Sequence, residues 1–382
     1  MNEKYNVSGR INILRQALAS DKNRVAFLLG AGCPLSIRDK ESKPLIPDIA
    51  GLTTAVCREL DQDKIEKLKT GIVLPGGKEA TIEDILSRVR LLIDAIGGSE
   101  FDGLKKEDLT DIEKKICDKI TQEVNKDLPD KITSYHNLAS WISGIPREHP
   151  IEIFTPNYDL LVESALETKN IPYFDGFVGS RNAFFDLHTM EYEELPSRWV
   201  RLWKLHGSVN WWVDTDGNVF RGVSKNNDKQ MIYPSHLKYL QSRRMPYLAM
   251  QDRLSNFLST GQSVLITNGY SFVDQHLNEI ITQRLSANPR SVCFGLLYDD
   301  IEKYPEALDC AQKTTNLHLL SKDAAFFAGE QKSWEENDDH SYTYLTEKID
   351  SNTKCKIGDF ASFSQFLLKQ TGDFKMEGQN ES

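Results

Sequence analysis

Val25-Ala26-Phe27-Leu28-Leu29, closing on Gly30-Ala31-Gly32, is the stretch on which the reading of the whole chain turns. Five consecutive apolar residues stopped by glycine read as a buried strand, too short for a helix of ordinary length. The two glycines let the backbone turn tightly at the strand's carboxyl end. A short helical lead-in, carrying Ile11, Leu14 and Leu18, precedes the strand.

Working outward, the same signature recurs. Ile151–Phe154 (IEIF) predicts a strand, followed by an amphipathic helix in DLLVESALE. WVRLWKL predicts a strand leading into His206, and NWWVDTDGNVFRG has the turn chemistry of a hairpin with Asp216-Gly217 at its tip. Ser263–Gly269 and Ser291–Tyr298 predict two further strands with the helix DQHLNEIITQRL between them, and Leu317–Leu320 adds another. FASFSQFLLKQ reads as a closing helix. Strands alternating with helices predict an α/β fold, a Rossmann-like, doubly wound, mostly parallel sheet.

One region departs from this alternation. From about residue 52 to 145, Ile82, Ile85, Leu86, Val89, Ile93 and Ile96 repeat at helical spacing, as do Ile112, Ile116, Ile120 and Val124, with breaks at LPGGK and IGGSEFDG. A mainly helical insertion is expected there, within a single domain over residues 1–370, and a polar, flexible tail over 371–382.

Composition narrows the function. The chain has 382 residues, 40% hydrophobic and 27% charged, with a formal net charge of -10. That balance argues against a protein coating nucleic acid by charge, so direct nucleic-acid binding is not indicated. The N-terminus has no secretory pattern and no apolar run is long enough for a membrane span. The six scattered cysteines include no C-x-x-C pair, which fits reduced thiols in the cytoplasm and gives no zinc ribbon. No metal is expected.

Ligands of doubly wound sheets sit outside the carboxyl ends of the strands. Four unusual segments fall at such ends: Gly30-Ala31-Gly32, the run Thr155–Asp159, Leu205-His206-Gly207-Ser208 and Gly269-Tyr270-Ser271-Phe272. Gly30, Ala31 and Gly32 suit either a plain tight turn or close approach of a diphosphate, with Ser36 nearby as a hydroxyl donor. Asn157 and Asp159 precede a helix, and both capping it and orienting a ribose, a water or an amide are within their chemistry. His206 ends an apolar strand, where it serves as a structural residue or as a proton acceptor near neutral pH. Gly269 and Ser271 form a strand-to-helix turn that also suits an adenosine ribose or phosphate, with Ser271 or Asp274 capping the helix. Trp203, Trp211 and Trp212 read as core and hairpin packing.

In this order, FLLGAG (Phe27–Gly32), IPD (Ile46–Asp48), FTPNYDLLVESAL (Phe154–Leu166), KLHGSVNWW (Lys204–Trp212), MIYPS (Met231–Ser235) and TNGYSFVDQHLNEII (Thr267–Ile281) resemble the sirtuin-like family, and specifically its bacterial NAD hydrolases of anti-phage defence. The resemblance implies NAD as substrate, with Gly30, Ala31 and Gly32 on the diphosphate loop and Asn157 and Asp159 facing nicotinamide and its ribose. It implies His206 as the catalytic histidine, Gly269 and Ser271 on the adenosine side, and Asp48 in the acidic position of the Ile-Pro-Asp element. Ile49-Ala50 stands where deacylating sirtuins carry Phe-Arg, and the four-cysteine zinc site is replaced by the helical insertion. Water is therefore the expected acceptor. The resemblance further implies homo-oligomerisation and a HerA-type ATPase partner that gates NAD loss. Two rivals are an NAD- or ADP-ribose-sensing module and a sirtuin-type deacylase or ADP-ribosyltransferase; a nuclease has no carboxylate cluster to support it.

Overall fold

Arg24–Leu29 forms β1, an interior strand of a nine-stranded sheet, and its last five residues are buried. The computed structural model describes residues 4–72, 79–192, 194–223, 229–232, 245–335, 340–350 and 352–371. The LPGGK break, Tyr233–Ser235 of MIYPS and the tail from 372 onward lie outside the described residues.

Strand residues alternate between the two faces of a pleat. In β1, Val25, Phe27 and Leu29 enter one apolar cluster while Ala26 and Leu28 enter another. The first cluster joins the N-terminal helix Val7–Ala19, the helices between residues 49 and 144, and the closing helix Phe360–Leu368. The second joins the helices Tyr247–Ser259, Gln275–Ala287 and Pro305–Lys313. Helices thus cover both faces, which is what a strand apolar on both sides requires.

The remaining strands are β2 (Ile151–Thr155), β3 (Tyr173–Phe174), β4 (Phe177–Val178), β5 (Ala183–Phe185), β6 (Val200–Lys204), β7 (Gly207–Val213), β8 (Val219–Arg221), β9 (Lys229–Ile232), β10 (Ser263–Asn268), β11 (Val292–Leu296), β12 (Leu317–Leu320), β13 (Ala324–Phe327), β14 (Glu330–Ser333), β15 (Thr346–Ile349) and β16 (Asn352–Cys355). The large sheet runs β14-β13-β12-β11-β10-β1-β2-β6-β3. From β12 to β3 every neighbouring pair is parallel, and the antiparallel pairs, β12–β13 and β13–β14, lie at one edge. After β1 the chain builds β2, β6 and β3 on one side, then returns to build β10, β11 and β12 on the other. The order reverses at β1, which puts the loops that follow β1 and β10 at the point where doubly wound sheets take their ligands. The expected α/β architecture is the one found.

The chain leaves the large sheet at His206. Gly207, with a φ of 93°, turns it into β7 of a five-stranded antiparallel sheet ordered β4-β5-β8-β7-β9. Trp203 and Trp211 are buried, the first donating its indole N–H to Glu152 at 2.7 Å and the second packed on Phe177. They are packing residues, as read from the sequence.

Between β1 and β2 the chain is helical. Ile49–Glu59, Gln62–Lys69, Ile82–Ala95, Lys106–Val124 and Ser134–Gly144 are helices. Thr81 and Asp84 form a capping box at the start of the third, so its end is specified locally. Tyr158, next to Asn157, donates its hydroxyl to Glu83 in that helix at 3.0 Å. Among the described residues no helix is long and apolar enough to cross a membrane.

Candidate functional site

The glycines after β1 and β10 pack against each other. Gly30 N donates to Asn268 O and Gly32 N to Gly269 O, both at 2.9 Å. A Cβ on Gly30 would stand 2.3 Å from Gly269 O, and one on Gly32 2.8 Å from Gly269 Cα. Gly269 has a φ of 64°, and a Cβ there would stand 2.5 Å from Cys33 N. The sequence leaves these glycines open between tight turns and the approach of a ligand; in the fold their missing side chains let the two backbones interlock.

Asn157 is stitched into the same end. Thr155 Oγ1 donates to Leu29 O at 2.7 Å and accepts from Asn157 N at 3.0 Å. Asn157 Nδ2 then donates to Gly30 O at 3.1 Å. With its nitrogen fixed on the glycine loop, the side-chain oxygen is the face of the half-buried carboxamide turned to other partners.

The segment carrying His206 runs beside this one. Leu205 N donates to Thr155 O at 2.8 Å, and Val209 N to Tyr158 O at 3.1 Å. His206 itself is 8% exposed. Its Nε2 lies 3.1 Å from Asp274 Oδ2, on the loop that leaves β10. The imidazole therefore reaches from the end of β6 toward the far side of β1. Sequence reading offered Asp274 only as a helix cap; its second role has a signal in hindsight, a carboxylate five residues after Gly269.

Asp159 lies deeper. It is 5% exposed, and its Oδ1 accepts from Leu161 N at 3.1 Å at the start of helix Leu161–Thr168. Behind it Lys204, fully buried, bonds the Asp159 carbonyl and reaches Glu163 Oε1 at 3.2 Å. Burial raises the Asp159 carboxyl above the usual carboxylate range, and the Lys204 ammonium opposes this. The folded protein then holds that proton more tightly than the unfolded chain does. The resulting penalty is absent below the unfolded carboxylate value of about 3.9 and grows as pH climbs through the folded one. Asp159→Asn keeps the acceptor for Leu161 N. It is expected to melt above the unmodified protein at pH 7, with the gap closing below about pH 4, in thermal unfolding followed across pH.

The other selected residues occupy the periphery. Ala31 and Ser271 are exposed. Ser36 Oγ lies 2.8 Å from Cys33 O and 3.1 Å from Ser134 Oγ, bracing the turn after the glycines. Asp48 is exposed and caps helix Ile49–Glu59, its Oδ1 accepting from Gly51 N at 2.8 Å. Its carboxylate serves its own helix. Ser271 does not cap the helix after β10; Asp274 does, accepting from His276 N and Leu277 N. Cys33, buried in the glycine turn, has its thiol raised well above the ordinary range by burial, and its Sγ sits 3.2 Å from Asn268 O. It is a fully buried, packed thiol.

Residues 151–320 match the SIR2-like domain. That span holds Asn157, Asp159, His206, Gly269 and Ser271, while Gly30, Ala31, Gly32, Ser36 and Asp48 precede it. Among solved structures, the chain is similar to one described as showing the structural basis for the mechanism and regulation of Sir2 enzymes (11% identity, 84% of this chain and 93% of that chain, TM-score 0.40). It is also similar to a mutant Sir2 homologue in complex with ADP-ribose (12%, 95% and 98%, TM-score 0.39) and to a Sir2 homologue–NAD complex (15%, 77% and 86%, TM-score 0.35). No curated protein matched the sequence.

Proposed function

We propose that this protein is a sirtuin-like NAD hydrolase, cleaving the nicotinamide–ribose bond to give nicotinamide and ADP-ribose. The observation that carries the reading is the meeting, at the reversal point of a doubly wound sheet, of the Gly30–Gly32 turn, the Asn157 carboxamide and the segment bearing His206. The match of residues 151–320 to the SIR2-like domain supports it.

The chemistry suits these groups. Nicotinamide leaves readily, because bond cleavage neutralises the pyridinium charge. It leaves an electron-poor, oxocarbenium-like ribosyl carbon, which oriented dipoles stabilise. Asn157 Oδ1 holds a ribose hydroxyl or the attacking water, and Asp159 Oδ2 is the oxygen assigned to the nicotinamide amide. Water adds at the ribosyl carbon and its released proton passes to His206. The diphosphate lies over the turn at Gly30, Ala31 and Gly32, with Ser36 behind it, and the adenosine side reaches Gly269 and Ser271. Asp48 stays a candidate at the outer edge of this site.

We further assign the protein to the cytoplasm as an NAD-depleting effector of anti-phage defence. It is organised as one domain with a helical insertion, works as a homo-oligomer, and is gated by a HerA-type ATPase, since ungated NAD loss would kill the host cell. Incubating the full chain with NAD, alone and with the candidate ATPase, is expected to release nicotinamide and ADP-ribose in equal amounts, followed by chromatography. Ligand-induced stabilisation without nicotinamide release would select the sensing module instead, and NAD consumption only with an acyl-lysine or protein acceptor would select the transferase.

A further inference from the structure

The loop from Gly269 to Asp274 is fixed more tightly than helix capping requires. Tyr270 donates its hydroxyl to Asn278 Oδ1 at 2.7 Å and lies 3.2 Å from Asp274 O. Asn278 Nδ2 donates to Phe272 O at 2.5 Å, and Phe272, fully buried, is held at a φ of 58°. A bulky residue in the left-handed region persists only where its surroundings enforce it. Asp274 Oδ1 accepts from His276 N at 3.1 Å and Leu277 N at 3.3 Å. With Oδ1 so engaged, Oδ2 lies 3.1 Å from His206 Nε2, an ion-pair approach in which the ring N–H is not aligned as a hydrogen bond, and the two side chains are 9% and 10% exposed.

We propose that Asp274 is the positioning residue of His206, holding the imidazole with its proton on Nε2 so that Nδ1 is the nitrogen facing the reaction. This rests on His206 being the proton acceptor of NAD hydrolysis. A carboxylate against one ring nitrogen selects the tautomer that carries its hydrogen there. When Nδ1 takes the proton released by water, the ring becomes an imidazolium and Asp274 compensates its charge without itself being protonated. The arrangement also joins the two halves of the sheet, since His206 follows β6 and Asp274 follows β10.

The test separates this role from capping. Asparagine and serine cap helices about as well as aspartate does. Asp274→Asn and Asp274→Ser are therefore expected to melt close to the unmodified protein. Both are expected to lose about 10²-fold or more in kcat with KM for NAD changed less than about three-fold, because the carboxylate acts on the reacting state. In a His206→Ala background Asp274→Asn is expected to cost nothing further. Unchanged or increased kcat in the single variants, or a loss confined to KM, overturns the proposal. Nitrogen NMR of the His206 ring reads the tautomer without turnover: Nε2–H in the unmodified protein, shifting toward Nδ1–H in Asp274→Asn. If NAD is not consumed at all, the hydrolase reading fails while the ring spectrum still decides the Asp274–His206 pairing, and an unshifted tautomer rejects it.

Discussion

His206→Ala protein is expected to release nicotinamide from NAD about 10²–10³-fold more slowly than the unmodified chain, a loss of roughly 3–4 kcal/mol of transition-state stabilisation. Asn157→Ala is expected to lose a similar factor. The two arise differently. In the proposed mechanism His206, 8% exposed, is the proton acceptor, whereas Asn157 presents a fixed carbonyl dipole whose nitrogen is already tied to Gly30. Alanine at 157 also frees the Gly30 carbonyl from its partner, so a small drop in thermal stability should accompany the kinetic loss. His149 is exposed just before β2, at the opposite end of the sheet from Asn157. His149→Ala should therefore turn over like the unmodified protein. Full nicotinamide release by both site variants would remove His206 and Asn157 from the chemistry.

Gly269→Ala carries the largest expected structural effect. Alanine at a φ of 64° is strained, and its methyl would sit 2.5 Å from Cys33 N and 2.8 Å from Cys33 Sγ. Left-handed strain and overpacking together amount to roughly 2–5 kcal/mol. The atoms in the way are largely backbone and cannot rotate aside, so the two loops must separate. Equilibrium unfolding in denaturant should show a lower midpoint, and NAD turnover should fall even in protein that remains folded. Gly217→Ala, at the tip of the β7–β8 turn with open space around it, has a positive φ but no clash. Comparing the two separates the cost of conformation from the cost of collision.

The central strands were legible because each is a short apolar run with a glycine or polar stop. VAFLL, IEIF, SVLITNG and LHLL match β1, β2, β10 and β12 to within one residue at each end. Less was legible at the sheet's edge. β13 and β14 pair across Ala328-Gly329, both at positive φ, and Glu330–Ser333 has no apolar face to betray it. β3, β4 and β5 are only two or three residues long, set by tertiary pairing and not by pattern. At the candidate site, the residues at strand ends were readable from composition and order, because glycine, asparagine and histidine stop apolar runs conspicuously. Their partners were not. The Asp274–His206 contact spans 68 positions, and Gly30 meets Gly269 across 239, distances over which spacing carries no information. The capping role of Asp48 was hidden for a different reason: one residue type serves helix ends and ligands equally well.

The interior position of β1 sets a timetable for synthesis. Arg24 pairs with Ser263, so the strand made first waits for one of its two neighbours until more than half the chain has left the ribosome. At roughly 5–20 residues per second, that interval is about 10–50 s. Throughout it, the amides of Gly30 and Gly32 lack the carbonyls they will bond, and one edge of Val25–Leu29 stands open as an apolar template. The core of this fold therefore waits on the final third of the chain, where β10 lies, before β1 has both of its neighbours.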